Sequence, residues 1–398
     1  GTEAVARWDP VASPAGYVTP RLRPDSELLQ VKPGRGFFVR FAANTDLEVI
    51  GVPTDPNSPV NLGLSMGWNM LGNPYDAVLS FASIKTTSGT LRPFGYVYDP
   101  VRRSYLLVSD TPGVGVERSY MLPWEGIWLR ALSTASVQIS QPTRTAEVEK
   151  AEALQLDLGP KGWWLPVAAR VGERYDECCA VGVRSTGAAL SLEKPPAMPD
   201  AVDVSVQAAD GTRLSRSVQV GTKTKHEWDI VVSTDVASAE VAVSLPDLSR
   251  VPHDMTVTLT DPATGKSLYA RTMSTYRFQV GDSGGSRVLR LTVEPRTTAG
   301  LVVSAASARA QGSRVVVSYS VSCACRVQAR VLNIAGRPVR VLASDSVASA
   351  GVNTFAWDGR NASGSVAPPG LYLVEIEAVA ENGQRAKAVT QVRYGPGR

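Results

Sequence analysis

Gly63-Leu64-Ser65-Met66-Gly67 has the G-x-S-x-G spacing of a nucleophile elbow, where a strained turn lifts a serine hydroxyl above a parallel sheet. An aspartate and His253 follow it in hydrolase order. The elbow needs a helix after the serine, yet Trp68-Asn69-Met70-Leu71 reads as another strand. A turn, not a nucleophile, is expected. Two histidines, His226 and His253, in 398 residues leave little for acid–base work or zinc. Glu375 and Glu377 share one face of a strand and read as a solvated face. The Asp-rich turns lack the D-x-D-x-D-G spacing of a calcium loop. The expectation is a non-enzyme with no catalytic residues, no cofactor and no metal.

Four cysteines form two tight pairs, Cys178-Cys179 and Cys323-Ala324-Cys325. Neither pair has a nearby histidine or the C-x-x-C spacing of a redox motif. They read either as buried free thiols or as a disulfide between the two pairs, since bridges within a pair would be strained. Such a bridge would close a long loop, worth about 4–5 kcal/mol in the chain-entropy account, and would imply an oxidising compartment. Trp163 and Trp164 are adjacent and so face opposite sides of a strand. One is expected in the core; the other is a candidate for stacking on a sugar ring or lining an interface.

These residues must be carried by short strands. The chain has 34 Gly and 27 Pro, 43% hydrophobic residues and β-branched runs broken by turns, which argues an all-β protein of several sandwiches. The most helix-like stretches, Ala146–Leu154 and Ala77–Ser83, are short. A net charge of +4, spread without a basic cluster, excludes a nucleic-acid surface. No apolar run approaches the ~20 residues of a membrane-spanning helix.

The first 143 residues contain a repeat. Trp8-Asp9-Pro10 to Tyr17 parallels Tyr98-Asp99-Pro100 to Tyr105, and Pro33-Gly34-Arg35-Gly36-Phe37-Phe38-Val39-Arg40 parallels Pro123-Trp124-Glu125-Gly126-Ile127-Trp128-Leu129-Arg130. Each copy closes with a strand and Pro-Thr, at Pro53-Thr54 and Pro142-Thr143. Only the second copy has Gly67-Trp68-Asn69-Met70-Leu71-Gly72-Asn73-Pro74-Tyr75 before it. Either upstream sequence has been removed, so that Gly1 lies within a longer precursor, or the first sandwich takes its opening strand from a neighbour. Thr145–Lys150 and Glu294–Thr298 read as linkers. The divisions are 1–60, a truncated β module; 61–149, a complete one; 150–298, a larger jelly-roll-type sandwich; and 299–398, a terminal domain. Core strands of the third are expected at Trp228–Val232, Met255–Leu259 and Val288–Val293, with a turn at Asp261–Gly265.

The Gly-Trp-Asn stretch, followed by Gly126-Ile127-Trp128, resembles a β module of large secreted and cell-surface bacterial proteins. In the last domain, Val315–Ser320, Arg326–Val331, the turn Asn333–Arg337, Trp357-Asp358-Gly359-Arg360-Asn361 and Gly370–Ile376 resemble the FlgD-like Ig domain, named after the flagellar hook-cap protein. In its strand, Tyr372, Val374, Ile376 and Ala378 should face the core, and Asn382-Gly383 should turn the hairpin. Cys323 and Cys325 depart from that family's pattern. The resemblance implies a structural, assembly or sorting module. Together these readings point to an elongated, extracellular array of β-sandwich domains, a non-catalytic subunit of a bacterial surface assembly or fibre. It would associate with copies of itself or other surface proteins, with strand complementation of the first module as the route for self-association. The alternative is a set of accessory domains, carbohydrate-binding or sorting, of a larger secreted enzyme.

Overall fold

The computed structural model describes residues 5–41, 43, 48, 50–86, 89–140, 155–222, 224–271, 273, 275–296, 300–312, 314–380 and 383–395. Gly1, Pro142-Thr143, the linker Thr145–Lys150, the whole Ala146–Leu154 stretch, Thr297-Thr298 and Asn382 lie outside the described residues. Among the described residues every regular element is a strand apart from two single 3-10 turns, Glu27–Leu29 and Phe81–Ser83. The helix-like stretch at Ala77–Ser83 is therefore a two-residue strand and one such turn. Ser80 ends the strand by accepting a hydrogen bond from Ala82 N–H, which caps a turn too short to propagate.

Two compact units divide the chain: Gly1–Thr222 with Val231–Arg250 and Arg277–Ser286, and Lys223–Ile230 with Val251–Tyr276 and Arg287–Arg398. Residues 150–298, read from sequence as one sandwich, are shared between them.

The first unit opens with β1 (Val5–Asp9), β2 (Gly16–Val18) and β3 (Phe38–Val39), in the order β2-β1-β3. The second copy supplies β4 (Val60–Leu64), β5 (Gly67–Gly72), β6 (Leu79–Ser80), β7 (Ile84–Lys85), β8 (Leu91–Asp99), β9 (Ser104–Val108), β10 (Tyr120–Met121), β11 (Gly126–Ala131) and β12 (Ala135–Ile139). Its sheets β5-β11-β8-β9 and β4-β12-β7 share a core of Leu71, Val97, Ile127 and Leu129 with Leu64, Val137 and Ile139.

The repeat is in register. Trp8 pairs with Tyr17 as Tyr98 pairs with Tyr105, and Phe38 with Ala6 as Trp128 with Tyr96. Asp9 Oδ1 accepts from the N–H groups of Val11 and Ala12 at 3.1 and 3.2 Å, and Asp99 Oδ1 from those of Val101 and Arg102 at 2.8 and 3.1 Å. Each Asp-Pro thus builds the same side-chain-supported turn.

The unit continues with β13 (Trp163–Pro166), β14 (Ala168–Val171), β15 (Arg174–Asp176), β16 (Ala180–Arg184), β17 (Leu190–Glu193), β18 (Val202–Gln207), β19 (Arg213–Val220), the second half of β20 (His226–Thr234) and β21 (Glu240–Ser244). One sheet runs β13-β16-β19-β18, with β17 also on β19; another runs β15-β14-β21. The β16–β19 pair is parallel, a departure from an all-antiparallel jelly roll.

In the second unit β22 (Met255–Asp261), β23 (Lys266–Tyr269) and all but the first two residues of β25 (Gly285–Pro295) form the ladder β25-β22-β23, while the division of the units falls within β24 (Thr275–Gln279). The expected runs at 228–232, 255–259 and 288–293 fall within β20, β22 and β25. Asp261, fully buried, accepts from Ala263 N–H at 2.9 Å and so shapes the expected turn. Burial alone would raise its pKa, but the Tyr276 hydroxyl at 2.6 Å, Ala263 N–H and Arg287 at 2.9 Å outweigh it and hold the carboxyl below its usual range.

The terminal sandwich follows: β26 (Val303–Gln311), β27 (Arg314–Val321), β28 (Cys325–Asn333), β29 (Pro338–Ala348), β30 (Gly351–Trp357), β31 (Gly370–Ala380) and β32 (Arg385–Tyr394). Its sheets, β26-β27-β30 and β29-β28-β31-β32, close over Val315, Val317, Tyr319, Trp357, Val374 and Ile376. Tyr372, Val374, Ile376 and Ala378 face this core as expected. The Trp-Asp-Gly-Arg-Asn turn seals one end. Trp357 Nε1 donates to Arg360 O at 2.8 Å, and Asn361 Oδ1 accepts from the N–H groups of Ser363 and Ser365 at 3.0 and 2.9 Å. Gly359 has φ +74°, and a Cβ there would lie 2.0 Å from the Tyr394 hydroxyl.

Gly359→Ala should therefore cost about 2–4 kcal/mol in urea unfolding, combining left-handed strain with a clash. Gly364→Ala, at φ +84° with open space around it, should cost about 1 kcal/mol. The Asp261 contribution is present above the ordinary carboxylate pKa and lost as pH falls through the depressed one. The stability difference between wild type and Asp261→Asn should thus be largest at neutral pH and shrink below about pH 4.

Candidate functional site

The two copies meet at a seam made of backbone. Gly72 N–H donates to Gly34 O at 2.9 Å, while Asn73 N–H donates to Glu125 O at 2.9 Å, Arg35 and Glu125 being equivalent positions. Arg35 also bridges to Leu71. A Cβ on Gly36 would lie 2.5 Å from Leu71 O, and one on its equivalent, Gly126, 3.3 Å from the same oxygen. The end of β5 is thereby held between two glycine-bearing segments. It pairs fully with β11 on one side and touches residues 34–36 on the other.

Behind the seam, side chains from both copies pack edge to face around Trp128. Ring centroids of Trp8, Tyr17 and Trp68 lie 5.6, 6.4 and 6.4 Å from that of Trp128. Trp128 Nε1 donates to Tyr105 Oη at 3.1 Å. Cys178 and Leu192 of the third region complete this core.

Beyond Arg35, the outer edge of β3 has no partner among the described residues. Strand order locates what it lacks: the second copy reads β5-β11-β8-β9 and the first β3-β1-β2, where β5 reaches only residues 34–36 and, among the described residues, no strand continues alongside β3. Val39 and Phe41 are 47% and 46% exposed, whereas their equivalents Leu129 and Ala131 are fully buried. The second copy carries an exposed aromatic. Gly34 has φ +77° and its equivalent, Trp124, φ +68°, so a tryptophan occupies a glycine conformation and stands 73% exposed.

The sequence candidates fall apart spatially. Ser65 sits in a turn between β4 and β5, strand to strand, without the helix an elbow requires. Asn69 holds that turn: its Oδ1 accepts from Ser65 N–H at 3.0 Å and its Nδ2 donates to Ser65 O and Gly67 O at 2.8 and 3.1 Å. That latch is the physical reason for the Asn of Gly-Trp-Asn. His253 is exposed in a loop.

Of the two readings of the cysteines, the disulfide between the pairs is not formed: Cys178, Cys179, Cys323 and Cys325 are all free thiols. Cys178 and Cys179 are enclosed in the core of the first unit, and burial pushes their thiols up to about 11 and about 12; it takes Cys325, in the second, to about 12. Trp163 is buried. Trp164 is half-buried, and the Arg250 guanidinium lies 4.3 Å from its ring centroid. Trp164 lines a cleft of about 530 Å³ with Arg102, Glu117, Gln155, Glu177 and Arg250. Burial there raises the Glu117 pKa against the pull of Arg216 and Arg102.

Glu375 and Glu377 are ion-paired across the ladder. Glu375 meets Lys387 at 2.6 Å and Arg330 at 2.5 Å, and Glu377 meets Arg385 at 3.3 Å. The Lys387 hydrogen bond, with Arg330, holds the Glu375 carboxyl below its usual range. Strand order, core and the Trp357 turn together decide the nature of this sandwich. Residues 304–382 match the FlgD Ig-like domain family. The match covers about a fifth of the chain, and the ion-paired Glu375 and Glu377 lie within it.

No curated protein matches the chain. Among solved structures it is similar to a β-glucuronidase from Ruminococcus gnavus, with 10% identity over 43% of this chain and 37% of that one, at TM-score 0.15. It is also similar to dimeric latent PorU from Porphyromonas gingivalis (11% identity, 84% and 32%, TM-score 0.22). A tetra-tandem repeat from the extending region of a large adhesion protein gives 11% identity over 76% and 92%, at TM-score 0.17. These scores are too low to carry an argument. The chain spans about a third of the length of the first two.

One polar cluster escaped sequence reasoning. The Lys194 side chain is fully enclosed and bonds Asp176, Asp203 Oδ1 at 3.1 Å and Val204 O at 2.5 Å. Arg213 pairs with the other oxygen of Asp203. Asp176 also accepts from Cys178 N–H at 3.0 Å, Val204 N–H at 2.8 Å and Ser104 Oγ at 3.3 Å. Burial disfavours the Lys194 charge, but the two aspartates outweigh it and hold its pKa above the usual; Lys194 and Arg213 likewise hold that of Asp203 below. The available signal was Val202-Asp203-Val204-Ser205-Val206, an aspartate inside a strand buried on both faces.

Gly36→Ala should cost about 1–3 kcal/mol, since a backbone oxygen cannot yield. Hydrogen exchange should then accelerate within residues 5–41 while β8 and β11 stay protected. Trp124→Gly should leave urea stability unchanged or raise it by up to about 1 kcal/mol, because relief of left-handed strain offsets the added chain entropy.

Proposed function

We propose that this chain is a non-catalytic structural subunit of an extracellular bacterial surface assembly, and that subunits join by adding a strand to the outer edge of β3. The observation that carries the reading is the matched strand order and register of the two copies, with β5 reaching only Gly34–Gly36 of the first and no strand beside β3 beyond them among the described residues. An edge of free N–H and C=O groups flanked by Phe37, Val39 and Phe41 is a template for β-augmentation. Backbone pairing would supply affinity, and alternate side chains of the donor would supply specificity. The contact of Gly34–Gly36 with β5 leaves the stretch from Phe37 onward to be paired. The FlgD Ig-like domain and the all-β build fit an accessory or structural role, and extracellular placement rests on the resemblance of the modules to those of secreted proteins.

A second reading, an accessory domain of a larger secreted enzyme, is favoured by the cleft beside Trp164, whose indole, guanidinium and carboxylate lining suits a saccharide. Trp164→Ala should then abolish binding on a glycan array; Trp163→Ala would report only on folding.

For the assembly reading, the 398-residue chain should form oligomers in negative-stain images. The same chain extended at its N-terminus with a copy of Gly63–Pro74 should be monomeric. Monodisperse particles from both would overturn it.

A further inference from the structure

We propose that Lys194 and Asp176 condense into an intramolecular isopeptide bond, with Asp203 as the base. The cluster has the parts an acyl transfer needs. The nucleophile is the Lys194 amine, whose side chain is wholly enclosed. A nitrogen hydrogen-bonded to a carboxylate lies about 3–3.5 Å from its carbon, within near-attack range. Asp203 Oδ1, 3.1 Å from Nζ, is within reach for proton transfer. Cys178 N–H and Ser104 Oγ point at Asp176 Oδ1 from 3.0 and 3.3 Å, where negative charge grows as the carbon becomes tetrahedral.

The step balances. Asp203 takes one proton from the Lys194 ammonium, and the freed amine attacks Asp176 Cγ. That proton passes with a second from nitrogen to the departing Asp176 oxygen, so the ammonium and carboxylate become an amide and one water. No oxidant or other reagent is consumed. The charges also close, because the cluster starts with two cations and two anions, and condensation removes one of each. Asp203 and Arg213 remain as a neutral pair, so no orphaned charge is left buried.

The bond would join the end of β15, in the sheet β15-β14-β21, to the residue after β17, which lies on β19 in the other sheet. It would be a covalent staple across the sandwich in a chain whose cysteines are all free.

Intact-mass measurement of the purified, then denatured, chain tests this. The expected mass is one water below that of the sequence, and a tryptic digest should yield a branched peptide joining residues 175–184 to 185–213. Asp203→Asn, which keeps the Lys194–Asp176 contact, should retain the full mass while circular dichroism shows it folded. A wild-type chain at the full sequence mass, or a water loss mapped to any other residues, overturns the proposal. An Asp203→Asn chain that is fully cross-linked overturns the role of Asp203. Should that variant not fold, the wild-type branched peptide decides alone.

Discussion

The backbone of Leu71 and Gly72 is gripped between Gly36 and Gly126, and the arrangement of the first unit depends on that grip. Two strands of a sheet ordinarily keep about 4.8 Å apart with room for side chains above and below. Here the approach at the end of β5 leaves no room for a Cβ on Gly36 or on Gly72. Because the seam is steric, it sets distance and register together. The ring cluster around Trp128 is its consequence: once Gly34 and Arg35 dock on β5, Trp8, Tyr17 and Phe38 are placed against Met70, Tyr96 and Trp128.

The polar groups of the fold serve turns and ladders. Asn69 latches the corner where the chain leaves the β4 sheet for the β5 sheet, Asp9 and Asp99 build equivalent turns, and Asn361 organises the loop after Trp357. Each accepts from backbone N–H groups that would otherwise go unpaired, which explains why Asn and Asp recur at these places. The ion pairs on the FlgD Ig-like domain answer the same need across strands. The cluster at Lys194 differs, being enclosed, charge-balanced and aligned for reaction.

Period-two patterning made the strands legible, because a half-buried strand writes its two faces into alternate residues. The core face of β31 was readable residue by residue; on its other face the burial of Glu375 was not, since it is produced by cations brought from β28 and β32. The internal repeat was legible because both copies need an aromatic, a turn and a glycine at the same points. The docking of one copy on the other was not, since it is decided by an absent Cβ at Gly36, and a glycine in a turn-rich stretch carries no mark of what approaches it. The Lys194 cluster was obscured similarly: Lys194-Pro195-Pro196 reads only as an extended connection, and Asp176 and Asp203 are brought to it from distant strands.

A strand that serves two neighbours has a bearing on the order in which the molecule comes into being. During synthesis a chain emerges from its N-terminus at about 5–20 residues per second. The segment carrying β1 to β3 is therefore released before β5 exists to receive it, and before β11 exists to hold β5. For those seconds its edges are open on both sides, and its aromatic rings have no Trp128 to pack upon. The first copy is thus made early and settled late, and its folding is a docking event that waits for the ribosome to deliver the second.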